Sequence, residues 1–228
     1  MQPQQPRRPV WPWVLGGCFF LVIGTIVAVS ILFNLGMKKI VANVDENLKN
    51  PKVREQTAKK LLHAETLPPG YYPISGTFDL PLITHVRLSD RAPDARGSVV
   101  GYDNRGFAYT DSLHSASSAQ LERFFEGAAD APGSSEVMGL RLRAKEELGR
   151  GRIELGDQTI RYRTVRGRVE EGADFELEGL LTLMLIDCAG PKREKTAVWF
   201  SRETPDAPVA DDAKIRELMG HFQLCAPR

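Results

Sequence analysis

Cysteine is scarce in this chain: three residues in 228, at positions 18, 188 and 225, none in a C-x-x-C pair. That excludes a disulfide-dense scaffold and a zinc finger or ribbon, which need several closely spaced thiol or imidazole ligands. The four histidines, His63, His85, His114 and His221, are scattered. No H-E-x-x-H, glycine-rich phosphate loop, Walker sequence or G-x-S-x-G elbow is present. The segment Asp111 to Gln120, DSLHSASSAQ, holds Ser, His and Asp, but on a loop before a helix rather than on the strained turn a serine nucleophile needs. Carboxylates are plentiful without a spacing that marks a glycosidase pair. No catalytic residue, metal or cofactor is therefore assigned. Charge of one sign is also lacking, because the net charge is +1, and a nucleic-acid binder would be strongly basic.

That near-neutrality conceals an uneven distribution. Residues 1–13 carry +2 and residues 37–68 carry +3, whereas residues 69–228 carry −4. The positive charge flanks Val14 to Gly36, VLGGCFFLVIGTIVAVSILFNLG, 23 residues without a charged side chain. As a helix at ~1.5 Å per residue it covers about 34 Å, enough to cross a hydrocarbon layer of about 30 Å. Trp11 and Trp13 stand at one edge and Lys38 and Lys39 at the other, where indoles and ammonium groups meet headgroups. The run is long for a cleaved signal peptide and is followed by two lysines. The lipobox-like Leu15-Gly16-Gly17-Cys18 has too short an apolar run before its cysteine. Arg7-Arg8 is followed by Pro9 and lacks the rest of a twin-arginine signal. Residues 14–36 are therefore expected to be a transmembrane helix contacting the lipid bilayer.

Two signals oppose each other on orientation. Lys38, Lys39, Lys49, Lys52 and Arg54 outnumber Arg7 and Arg8 near the span, which leans towards a cytoplasmic domain. The usual single-span arrangement, a short arginine tail inside and the domain exported, points the other way. We expect export to the periplasmic or extracellular side.

Along the chain, residues 1–13 are a Pro/Gln-rich tail expected to be disordered. Residues 37–69 read as a helical stalk. In it Asn50 is an N-cap and Pro51 a first helical residue, for a helix over about 51–65. From residue 70 the apolar period changes to two: Ile74, Gly76, Phe78, Leu80, Leu82, Val86 and Leu88 alternate with polar residues, with a break at Pro81. A hairpin is expected over Val99–Thr110, turning at Asp103 to Gly106. A helix follows at about 117–128, with Ser117 and Gln120 as a capping box. Strands resume at about 136–145, 150–155, 159–168, 174–188 and 194–201. Asp211 or Asp212 caps a last helix. Strands joined by short turns and accompanied by few helices imply an α+β fold: a two-layer domain over 70–228 of mostly antiparallel sheet, helices on one face.

Four Arg-x-Arg pairs stand out: Arg141/Arg143, Arg150/Arg152, Arg161/Arg163 and Arg166/Arg168. On a strand, residues i and i+2 share a face, so neighbouring strands could stack guanidinium groups into an anion site. The alternative is a sheet face neutralised by acids. A hairpin turning at Glu171-Gly172 would set Arg168 opposite Asp174, Arg166 opposite Glu176 and Val165 opposite Leu177. Arg141, Arg143, Arg150 and Arg152 have fewer evident partners and are the anion-binding candidates; carboxylates on all four would remove that reading. Cys188 and Cys225 are the only pair able to bridge within an exported domain.

The sequence thus describes a membrane-anchored chain with a non-catalytic binding or assembly domain for a partner protein or anionic ligand. A membrane-tethered hydrolase whose site forms only in the fold, gathering His85 or His114 with a carboxylate, is the alternative. A cytoplasmic-facing scaffold is another.

Overall fold

The computed structural model describes residues 50–80, 82–93, 102–113, 118–126, 134–137, 140–171, 175–189, 193–202 and 209–225. All of them lie in a unit that begins at Glu46. The expected tail, span and first part of the stalk fall outside the described residues. No helix among the described residues is long and apolar enough to cross a membrane.

Helix α1 (Pro51–Leu61) starts where its cap dictates: Asn50 is extended, and its side-chain oxygen accepts hydrogen bonds from the amides of Lys52 and Val53 at 3.1 and 3.4 Å. Proline at the first position costs no internal hydrogen bond. The helix is not a free stalk. Ala58, Leu61 and Leu62 are buried against the sheet, in one cluster with Tyr71. The turn after it, Pro68-Pro69-Gly70-Tyr71, closes with a 3.1 Å bond from the Tyr71 amide to the Pro68 carbonyl. Gly70 has φ +75°, the left-handed value that the third position of a type II turn requires, and Pro69 fixes the second.

Among the described residues nine strands follow: β1 (Tyr72–Pro73), β2 (Phe78–Asp79), β3 (Ile83–Ser89), β4 (Arg105–Leu113), β5 (Ser134–Val137), β6 (Leu140–Leu155), β7 (Gln158–Glu171), β8 (Phe175–Cys188) and β9 (Arg193–Arg202). They form one sheet in the order β1-β3-β4-β9-β8-β7-β6-β5, with β2 also paired to β3. Each pairing is antiparallel. Strands β5 to β9 make a meander whose last strand adds β4, and the chain between β4 and β5 carries α2 (Ser118–Glu126). Helix α3 (Asp212–Met219) follows β9, capped by Asp211, which accepts from the Lys214 amide at 2.9 Å.

The α+β class and the antiparallel sheet hold, but helices cover both faces, not one. On the first face α1 and α3 pack over Val86, Phe107, Tyr109, Ile160, Met184 and Ala197. On the second, Leu121, Phe124 and Phe125 of α2 pack over Val165, Leu181, Leu183, Val198 and Phe200. The central parts of β8 (Leu180–Ile186) and β9 (Ala197–Phe200) are largely apolar at both odd and even positions, as suits a sheet covered on both faces, whereas β7 carries Arg161 and Arg163 on the second face.

Three local expectations change. Residues 99–101 of the expected hairpin lie outside the described residues; Arg105 and Gly106, expected in its turn, belong to β4, which is flanked by β3 and β9. Residues 140–155 are one strand, not two: the sequence places a turn near Gly149, but the structure has register shifts between Ala144/Glu146 and Glu147/Gly149, the bulges that a glycine inside a strand marks. The β7–β8 register is also displaced, setting Arg168 opposite Glu178, Arg166 opposite Leu180 and Val165 opposite Leu181. The displacement is even, so every side chain keeps its expected face while acquiring a different partner. Ser117 of the expected capping box lies outside the described residues.

Candidate functional site

The arginine pairs divide between the faces. Arg150 and Arg152 stand opposite Arg163 and Arg161 on the second face. Like charges set directly across a ladder repel, and acids interleave with them. Glu147 accepts from Arg150 at 2.7 Å and from Arg163 at 2.8 Å. Arg152 bonds Glu154 at 3.0 Å. Arg161 is held by Glu122 of α2 and by Asp187 at 2.9 Å; the Arg161 hydrogen bonds are the main cause holding the Glu122 carboxyl below its usual range. The Arg163 side chain is 4% exposed; it donates to the Phe124 carbonyl at 2.9 Å and lies 4.5 Å from the Phe124 ring centroid. Arg161 and Arg163 therefore clamp α2 onto the sheet.

On the first face Arg166 pairs with Glu146 and Arg168 with Glu178, which Lys145 also reaches. Arg143 stands opposite Arg168 and has an interaction of its own; Arg141 occupies the register position opposite Glu170. Of the four anion-binding candidates, Arg150 and Arg152 thus already hold carboxylates, and the structure does not gather the four into one open patch.

Cys188 and Cys225 are joined by a disulfide, Cα atoms 5.3 Å apart. It ties the segment after α3 to the end of β8. Polar bonds hold the same segment: Gln158 donates to the Phe222 carbonyl at 3.1 Å and the Gln223 amide to the Leu62 carbonyl at 3.2 Å. Among the described residues, no group of three or more His, Cys, Asp or Glu side chains is placed to hold a metal.

Of the two histidines singled out for a hydrolase, His114 lies outside the described residues. His85 faces Thr110 at 2.9 Å and packs against Phe78 in a tilted arrangement, ring centroids 5.6 Å apart. Burial, assisted by the charge of Arg87, pushes its imidazole down to about 4. His85 is thus a neutral packing residue near pH 7. Because its folded pKa is depressed, its contribution is complete above the unfolded value near 6.5 and is lost as the pH falls towards 4. Relative to a His85→Asn variant, the protein is expected to lose about 3 kcal/mol between pH 7 and 4 in urea titrations; parallel losses would show that His85 is not the group responsible.

A concave feature of the described surface lies on the first face. A groove of about 340 Å³ runs between the Pro68–Tyr71 turn, the sheet and α3. Leu180, Thr182, Trp199 and Ser201 form its floor, with Pro68, Pro69, Tyr71 and Arg105 on one side and Lys214, Glu217, Leu218 and His221 on the other. The type II turn holds Tyr71 over the sheet, where its hydroxyl accepts from the Trp199 indole at 2.9 Å. Burial pushes this phenol up, outweighing the hydrogen bond from Trp199, so it remains a neutral donor. The Arg105 guanidinium lies 5.5 Å from the Tyr71 ring centroid, a stacked position that leaves its N–H edge available. Among the described residues neither Arg105 nor Lys214 makes an ion pair with a carboxylate; Lys214 donates to the Val209 carbonyl at 3.1 Å.

Sequence reasoning missed Arg105, Lys214, Tyr71 and Trp199, which lie far apart in the chain and share no spacing. The Pro-Pro-Gly turn was the local signal for one wall. Compared with protein-family models and with curated proteins, the chain matches none.

Proposed function

We propose that this chain is a single-pass, membrane-tethered, non-catalytic binding module, with its domain exported and an anionic ligand or anionic partner segment seated in the first-face groove. The observation that carries the reading is the contrast between cations. Arg150, Arg152, Arg161, Arg163, Arg166 and Arg168 hold carboxylates, whereas Arg105 and Lys214 line a cavity and, among the described residues, form no ion pair. The cavity is at the small end of ligand sites, which run from about 300 to 1,000 Å³. Tethering rests on the uncharged run at 14–36. Export is supported by the Cys188–Cys225 bond, since such bonds persist in oxidising compartments.

Two measurements test it. Differential alkylation in native membranes should find Cys188 and Cys225 bonded; free thiols would favour an inward-facing scaffold. The full chain in neutral-lipid nanodiscs should be thermally stabilised by some member of a panel of inorganic and organic anions. At a concentration of 100 times Kd the gain is about 2.7 kcal/mol, and it should disappear in an Arg105→Gln/Lys214→Gln variant. No stabilisation by any anion would overturn the assignment of the groove.

A further inference from the structure

We infer that the groove selects a small organic acid carrying one negative charge on a flat apolar body, rather than an inorganic anion or a polyanion. This rests on the binding reading above and adds the ligand's chemistry. Arg105, Lys214 and Glu217 all line the groove. Together these three side chains carry a single net positive charge, suited to a monoanion. A phosphate dianion would bring a second negative charge into a groove that holds Glu217 and, among the described lining residues, no third lysine or arginine.

The body of the ligand follows from what the indole has left to offer. Trp199 has one N–H, and it is committed to the Tyr71 hydroxyl. Its remaining surface in the groove is apolar, continued by Leu180, Leu218 and the two prolines. Tyr71 is 7% exposed, and its own hydroxyl proton meets no acceptor among the described residues. One aromatic ring thus brings together a buried hydroxyl donor and the stacked Arg105 fork. A carboxylate accepting from both would leave its apolar body over the indole and Leu218. The neutral phenol can donate in this way, while Asp90 acts on Tyr71 from outside the groove lining and raises its pKa further.

The test uses the full chain in neutral-lipid nanodiscs, with empty nanodiscs subtracted, and four probes in isothermal titration. These are 2-naphthoate, acetate, inorganic phosphate and 2-naphthylmethylammonium. 2-Naphthoate should bind saturably, at least tenfold more tightly than each of the others. Arg105→Gln, at an exposed position, should weaken it about tenfold with an unchanged circular dichroism spectrum, and Trp199→Phe should weaken it further than it weakens acetate. Acetate or phosphate binding as tightly as 2-naphthoate would overturn this inference while leaving an anion site in place. Equal binding of the ammonium probe, or no binding by any probe, would overturn both.

Discussion

Replacing Asp111 by alanine is expected to destabilise the protein by about 3–5 kcal/mol, the cost of leaving buried charges without their partner. The Asp111 side chain is 1% exposed; it accepts from Arg193 at 2.5 Å and faces Lys195 at 3.5 Å. Both cations are themselves largely covered, with side chains 20% and 12% exposed. The loss should appear as a melting temperature lower by roughly 10 °C, since 1 kcal/mol moves Tm by about 2–4 °C in a domain of this size. A second variant separates ion pairing from packing. Substituting Asp111→Leu together with Arg193→Met and Lys195→Met removes all three charges and should recover most of the loss, because apolar replacement of a whole buried cluster is often neutral. A triple variant as unstable as Asp111→Ala would show that shape, not charge, dominates.

Removing the Cys188–Cys225 bond, by reduction or by a Cys188→Ala/Cys225→Ala pair, is expected to cost about 4 kcal/mol in the chain-entropy description of a loop of about 38 residues. The native segment should stay in place. Phe222 is 1% exposed and stacks on Phe107, ring centroids 5.1 Å apart, and the Leu224 carbonyl accepts from Lys195. The expected result is a lower denaturant midpoint with an unchanged native near-ultraviolet spectrum. Loss of that spectrum would show that the bond holds the segment in the folded state as well.

Secondary structure was legible where periodicity and caps agree. Asn50-Pro51 starts its helix as read, Asp211 is the cap of the two residues expected for the last one, and the strands from 158 to 202 fall close to their expected ranges. The layering was not legible, because the apolar face of α2 says what it buries but not which side of the sheet it crosses. Stalk and domain could not be separated either. The sparse apolar set of α1 suits an exposed helix, yet Ala58, Leu61 and Leu62 suffice to seat it. Charge partners failed for a more specific reason. The acids at 170–178 were the evident match for Arg166 and Arg168; Glu178 does take Arg168, but Glu146 of β6 takes Arg166 and Glu147 takes Arg163, because the register shifts decide which of those two neighbours faces which side of the sheet. The groove was invisible because its parts come from a turn, three strands and a helix spread from Pro68 to His221.

The paired bulges of β6 behave like two compensating frameshifts in three dimensions. Before the first, Leu142 and Ala144 face the α2 core; after the second, the even-numbered residues again face that side, with Ile153 opposite Ile160 on the other. Only the short stretch between is out of frame, and it is there that Glu146 and Glu147 are dealt to different arginines. Loss of the extra residue at either shift, Lys145 or Leu148, would leave every paired residue opposite its present partner and remove only that bulge. Loss of one residue elsewhere in the strand would instead send the residues beyond it to the wrong face, Arg152 towards the first core and Ile153 away from it. Tolerance to a change of length is therefore concentrated at the two shifts.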